Sequence, residues 1–150
     1  PIGLGMALSS RMNSKNFHVY VLLGDGECNE GSIWEAATMA VAQNVDNLTI
    51  FVDSNKWQAT DRTSDLVGGI CLKQKWQSFG WNASEIEGNS MKEAIKALSK
   101  KPKKGVPTAI ILNTVKGSGV SFMEDDNNWH YRIPNAEEVE LAFKELGIKS

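Results

Sequence analysis

The chain has 150 residues, 41% of them hydrophobic and 23% charged, a composition that suits one globular domain with a core of its own. Its formal net charge of −2 gives no global field favouring nucleic acid or an anionic membrane, and no apolar stretch is long enough to span a bilayer. The one basic run, Lys100 to Lys104, is short, contains Pro102 and lacks interleaved aromatics, so it reads as a solvated loop and not as a nucleic-acid patch.

In chain order, residues 3–14 carry Leu4, Met6, Ala7, Leu8 and Met12 in a helical pattern. Residues 17–23, FHVYVLL, are β-favouring and almost continuously apolar. Gly24-Asp25-Gly26 follows at once. A second helix is predicted over 30–43, with Ile33, Ala37, Ala40 and Val41 on one face. Residues 48–52, LTIFV, form another buried-strand run. Residues 71–79 suit a helix, and 82–87, NASEIE, a short strand. Ser90 and Glu93 have capping-box spacing ahead of Met91, Ala94, Ile95 and Leu98. Residues 107–113, PTAIILN, read as a further strand. Asn135 and Glu138 repeat the capping spacing before Val139, Ala142, Phe143 and Leu146, and Gly147 suits a helix C-terminal cap. Helices and strands thus alternate, which predicts an α/β fold with a parallel sheet flanked by helices.

Asp-Gly often marks a hairpin, but here a strand precedes it and a helix follows. A strand-to-helix loop in a parallel sheet lies at the carboxyl edge, where such folds bind ligands. Glycines on both sides of Asp25 permit a sharp turn and a close approach to a ligand. The LTIFV strand ends in the same way, with Asp53 and Asn55 just beyond it. If the two strands are neighbours, Asp25 and Asn55 emerge at one edge. A carboxylate, an amide oxygen and main-chain carbonyls form a hard-oxygen set suited to Mg²⁺ bridging phosphates. A capping Asp25 and a turn-forming Asn55 would satisfy the same residues.

Gly24-Asp25-Gly26, then 28 residues, then Asn55 resembles the thiamine diphosphate motif. GDGECNEGSIWEA (24–36), DNLTIFVDSNKWQATDRTSDL (46–66), TVKGSGVSFMEDDNNWH (114–130) and PIGLGMALSSRM (1–12) are similar to transketolase, in the family's order. The resemblance implies a thiamine diphosphate-binding fold, present in part. It implies that Asp25, Asn55 and the main-chain carbonyl of Trp57 hold Mg²⁺, or Ca²⁺ or Mn²⁺ in its place. Gly26 would let a backbone N–H approach the diphosphate. Glu30 matches an acidic residue at the contact between the family's two modules; it equally suits a helix N-terminus as a macrodipole partner. His130 matches a histidine on the cofactor and substrate side of the cleft, whereas a lone loop histidine is ordinarily a surface residue. Tyr131 and Arg132 follow it where the family often has Gly and Lys. His18 reads as structural, and residues 124–128 as a solvated loop lacking the ligand spacing of a calcium site.

The resemblance further implies transfer of a two-carbon ketol unit between sugar phosphates. The partner it implies is a pyrimidine-binding module or subunit, in a homo- or hetero-oligomer such as a dimer. The family's glycine-rich loop would precede Pro1, so the expectation is a single metal-binding module lacking its N-terminal part and inactive alone. The SFMEDDNNWH text (121–130) resembles the split form of the family, with which the stop soon after Gly147 agrees. Cys28 and Cys71 lack metal-ligand spacing, and no signal peptide is visible, which predicts a cytoplasmic protein. Subunits of 2-oxo acid dehydrogenases and deoxyxylulose-phosphate synthase share the motif. NEGSIWEA favours transketolase, because the dehydrogenases tend to carry Gln-Gly at the Glu30-Gly31 position. A non-catalytic remnant or binding module is the remaining alternative.

Overall fold

The computed structural model describes residues 1–148. Four strands, β1 (Val19–Gly24), β2 (Leu48–Ser54), β3 (Asn82–Glu87) and β4 (Thr108–Asn113), form one sheet in the order β1-β2-β4-β3. Every pairing is parallel. The helices are α1 (Ile2–Met12), α2 (Gly31–Ala42), α3 (Thr63–Val67), α4 (Leu72–Ser78), α5 (Met91–Leu98) and α6 (Ala136–Glu145). The expected α/β architecture is therefore observed. Patterning did not reveal α3 or the 3-10 turns Glu27–Asn29 and Asn127–His130.

The core lies between the sheet and α1, α2 and α4. Ala7, Ala37, Ala40 and Trp76 from those helices pack with Leu23, Ile50, Val52, Ala109 and Ile111 from the strands. Trp76 stands at the centre, with ring centroids 4.7 Å from Trp34 and 4.8 Å from Trp81. Their polar edges are used as anchors: Trp81 Nε1 donates to the Ala37 carbonyl at 3.0 Å and Trp34 Nε1 to the Cys28 carbonyl at 2.7 Å. The second bond fixes the loop after β1 to α2.

The β3–α5–β4 connection runs along the sheet in the opposite direction to β1–α2–β2. Right-handed crossovers then put α5 on the opposite face from α2. That face carries α5 over the β3 and β4 side, and Tyr20 and Leu22 on β1 are 57% and 68% exposed. Burial of the first strand on both faces, as its unbroken apolar run predicted, is thus not observed. The stripe expected on α5 is also turned outward, since Met91 and Ile95 are exposed and the small Ala97 is the buried residue.

Caps follow the sequence closely. Ser90 accepts from Glu93 N, and Asn135 and Glu138 form a reciprocal capping box. Gly147 has φ +66, and Ile148 N returns to the Phe143 carbonyl at 2.9 Å, completing a Schellman turn. His18 is structural as read: its Nε2 lies 2.9 Å from Thr49 Oγ1.

Candidate functional site

The site begins where β1 and β2 end side by side. Gly24 pairs with Asp53, and Asp25 N donates to the Asp53 carbonyl at 3.1 Å. Asp25 thus leaves the carboxyl edge tied to the strand that leads into Asn55. The residue is only 4% exposed. Thr63 Oγ1 donates to its Oδ2 at 2.6 Å, and Gly26 N to its Oδ1 at 2.9 Å. Burial pushes the carboxyl above its ordinary 3.8; the bonds from Thr63 and Gly26 pull it back, and the nearby Asp53 charge raises it further.

Asp53 is also what orients Asn55. Its carboxylate accepts from Asn55 Nδ2 at 3.0 Å and from the Thr114 hydroxyl. Asn55 Oδ1 in turn accepts from Trp57 N at 3.0 Å. Both faces of the amide are therefore assigned, and one lone pair of Oδ1 stays available.

Residues 56–63 then form a small hairpin. Thr63 N donates to the Lys56 carbonyl at 3.0 Å and Gln58 N to the Asp61 carbonyl at 2.9 Å, with Trp57 opposite Arg62. The fold-back delivers Thr63 to Asp25. On the hairpin's other side the Arg62 guanidinium lies 3.8 Å from the Trp57 ring centroid. It also grips both Asp125 oxygens, at 2.7 and 2.6 Å, while Trp57 Nε1 donates to Asp125 Oδ1 at 2.8 Å. The Arg62 bond, followed by that of Trp57, holds the Asp125 carboxyl below its ordinary value.

A cavity of about 280 Å³ opens at this edge, with Asp25, Lys56, Arg62, Thr63 and Lys75 in its wall. Lys56 and Lys75 are the cations of that wall not already paired with Asp125, and with Asp25 and Glu85 also present the lining suits an anionic group accompanied by a cation. Among the described residues no three His, Cys, Asp or Glu side chains cluster as a metal site. A cation here would instead use one carboxylate, one amide oxygen and main-chain carbonyls, leaving positions for water and phosphate oxygens. That donor set fits Mg²⁺.

Gly24 and Gly26 flank Asp25. Gly26 has φ −62, and Gly24 is not among the glycines with positive φ, so neither conformation requires glycine. A Cβ on Gly24 would meet nothing closer than Glu27 Oε2 at 3.7 Å, and one on Gly26 nothing closer than Gln58 Cγ at 3.5 Å. Their N–H groups are engaged within the loop, Gly24 N donating to Glu27 Oε2 at 2.7 Å and Gly26 N to Asp25 Oδ1 at 2.9 Å.

The other candidate residues lie further out. Glu30 is the exposed N-cap residue of α2, with no side-chain cap bond. His130 is exposed at the end of its 3-10 turn, with its ring 4.7 Å from that of Tyr131. Among the described residues no hydrogen bond joins His130 to Asp25 or Asn55. It connects to the site through its loop, which Asp125 ties to the Trp57 hairpin. Residues 124–128, read as a solvated loop, are thus exposed in part but anchored.

Sequence reading did not single out Thr63, Thr114, Arg62 or Asp125, and it noted Asp53 without a role. For Asp53 a signal existed: a carboxylate two residues before an amide at a strand end forms a local pair. The others act across 38 to 68 positions and leave no local pattern.

Residues 8–150 match the family described as transketolase, thiamine diphosphate binding domain. The chain is 40% identical over 146 residues to an apulose-4-phosphate transketolase subunit from Actinobacillus succinogenes, covering 97% of this chain and 53% of that protein. It is also 40% identical over 144 residues to a 6-deoxy-6-sulfo-D-fructose transketolase subunit of a Clostridium species, covering 95% of this chain and 52% of the relative. The chain therefore spans about half the length of these relatives. The transketolase structure from Campylobacter jejuni superimposes with a TM-score of 0.87 at 25% identity, over 99% of this chain and 24% of that one.

Proposed function

The chain belongs to the transketolase thiamine diphosphate-binding domain family, and from that premise we propose that it supplies the metal- and diphosphate-holding half of a split-type transketolase. The reaction is transfer of a two-carbon ketol unit between sugar phosphates. The observation that supports this most is the buried Asp25 carboxylate beside the Asp53-oriented amide of Asn55, at the carboxyl edge of a parallel sheet.

In this reading Asp25, Asn55 and the Trp57 carbonyl hold Mg²⁺, with Ca²⁺ or Mn²⁺ as substitutes. When bound, thiamine diphosphate supplies the electron sink that cleavage of a carbon–carbon bond beside a carbonyl requires. The chain's own part is placement. Asp25 would offset part of the dication's charge, Gly26 would leave room for the diphosphate, and Lys56 and Lys75 at the cavity wall would offset part of its charge. His130 faces the substrate side and Glu30 the contact with the second module. The pyrimidine-binding module or subunit completes the site, so the 150-residue chain alone is inactive. No helix among the described residues is long and apolar enough to cross a membrane. A cytoplasmic setting for the assembly agrees with two free cysteines.

The test uses the full-length polypeptide with its natural partner. Turnover is measured on a panel of sugar phosphates, sulfosugars and 2-oxo acids, alongside calorimetric titration with thiamine diphosphate and Mg²⁺. Ketol transfer that disappears in Asp25→Ala together with the binding heat supports the proposal. Turnover of 2-oxo acids alone, or no heat from the wild-type assembly, overturns it.

A further inference from the structure

The hairpin 56–63 and the loop 114–130 lie far apart along the chain, yet three side chains join them. Arg62 and Trp57 face each other across the hairpin at a position where no backbone hydrogen bonds link the pair directly, which brings their side chains close. Asp125 receives a two-pronged ion pair from Arg62 and an indole bond from Trp57; the guanidinium stacks on the same indole. Each member thus touches the other two. A second tie, from Asn127 Nδ2 to the Ala59 carbonyl at 3.3 Å, lies beside them.

We infer that Arg62, Trp57 and Asp125 form a clamp that orders the hairpin bearing Trp57 and Thr63 and the loop bearing His130 as one unit. The three are positioning residues. Opening the clamp frees Trp57, whose backbone N–H fixes Asn55, and Thr63, whose hydroxyl fixes Asp25. Disorder in the loop at Asp125 would therefore reach both donors of the proposed metal site. The local sequence is suited to this. Asp125 has φ +56, a conformation that aspartate tolerates better than most residues, and its N–H is tied to the Lys116 carbonyl at 2.9 Å.

The joint ordering stands on these contacts alone; its consequence for cofactor affinity rests on the proposed function. The experiment is hydrogen–deuterium exchange on the full-length polypeptide, with segments 56–63 and 124–130 followed separately. Arg62→Ala, Asp125→Ala and Trp57→Leu are each expected to speed exchange in both segments at once. The double variant Arg62→Ala/Asp125→Ala should be less than additive, because the ion pair shared by the two residues is lost only once. Arg62→Lys, which keeps the charge but loses the planar fork, should fall between. Should Asp125→Ala fail to fold, Asp125→Asn decides the question, since it can still accept from Trp57 Nε1 but loses the ion pair.

Titration with thiamine diphosphate and Mg²⁺ then reads the consequence. Affinity should fall about 10- to 100-fold, the range seen when groups that orient metal ligands are removed. The apparent KM for the cofactor should rise by more than kcat falls. Faster exchange in one segment only, or additive effects in the double variant, would overturn the clamp. Coupled exchange in a wild-type protein that binds no cofactor would instead uphold the clamp and overturn the proposed function.

Discussion

Replacing Thr63 by Val tests whether the site holds an ionised carboxylate in an environment that disfavours it. The two side chains have nearly the same shape, so the change removes little beyond the 2.6 Å bond from Thr63 Oγ1 to Asp25 Oδ2. A hydrogen bond to a charged group contributes about 1.5–3 kcal/mol, and its loss here leaves a buried oxygen short of a donor. At about 2–4 °C per kcal/mol for a domain of this size, the melting temperature near pH 7.5 should fall by roughly 3–12 °C. The pH dependence carries the stronger test. Asp25 is raised above its ordinary 3.8 by burial, so its ionisation opposes folding. Its contribution is most favourable below 3.8 and is lost progressively as pH rises through the folded value. Thr63→Val removes a bond that lowers that value, so the window over which stability is lost widens upward. The deficit of the variant should therefore be small in acid and full at neutral pH. Mg²⁺ with thiamine diphosphate should recover part of it by supplying the compensating charge. Thermal unfolding of full-length wild type and variant, from pH 3.5 to pH 8 with and without these ligands, measures all three. A deficit that does not change with pH would refute the claim that an ionised Asp25 is its source.

Asp25→Asn should raise the melting temperature of the metal-free protein at neutral pH, because a neutral amide replaces a charge that burial disfavours, while added Mg²⁺ and thiamine diphosphate cease to stabilise it. Gly117→Ala should lower stability by at least about 1–2 kcal/mol from its left-handed conformation alone, since φ is +73 and an added Cβ would sit 2.4 Å from the Met123 carbonyl oxygen; thermal unfolding reads the loss, and faster exchange of 124–130 locates it. Thiol titration at pH 8 should label one cysteine in the native protein and two in denaturant. Cys71 is exposed, whereas Cys28 is 1% exposed, with its thiol pushed up to about 12 chiefly by burial and then by the Asp25 charge.

What could be read from the chain was what local physics dictates. A strand, a turn and a helix placed Asp25 at a sheet edge because their signals occupy neighbouring positions. The capping box at Asn135 and Glu138 and the Schellman turn at Gly147 were legible for the same reason. An apolar stripe, by contrast, records what a face is made of and not whether anything covers it. Met91 and Ile95 on α5, and Tyr20 and Leu22 on β1, satisfy the pattern yet stand exposed. The second half of the site was hidden by distance along the chain. Thr63 lies 38 positions from Asp25, and Arg62 lies 63 from Asp125. Only the sheet order and the hairpin bring them together, and neither is encoded in a short motif.

The two aspartates at the ends of β1 and β2 show how similar positions acquire different tasks. Asp53 and Asp25 sit at adjacent strand ends, joined through a backbone bond, and the Asp53 charge disfavours ionisation of Asp25. Asp53 receives side-chain donors on both oxygens, from Asn55 and Thr114, so its charge is spent on fixing neighbours. Asp25 is more deeply buried, and burial outweighs the two donors it has. Of the pair, Asp25 gains more from a cation, while Asp53 is what makes the Asn55 oxygen, and not its NH₂, available to share that cation. Exchanging their environments would therefore remove the site even with every residue type retained. In the proposed site the sheet register would set one carboxylate to orient the Asn55 amide and the other to face the cation.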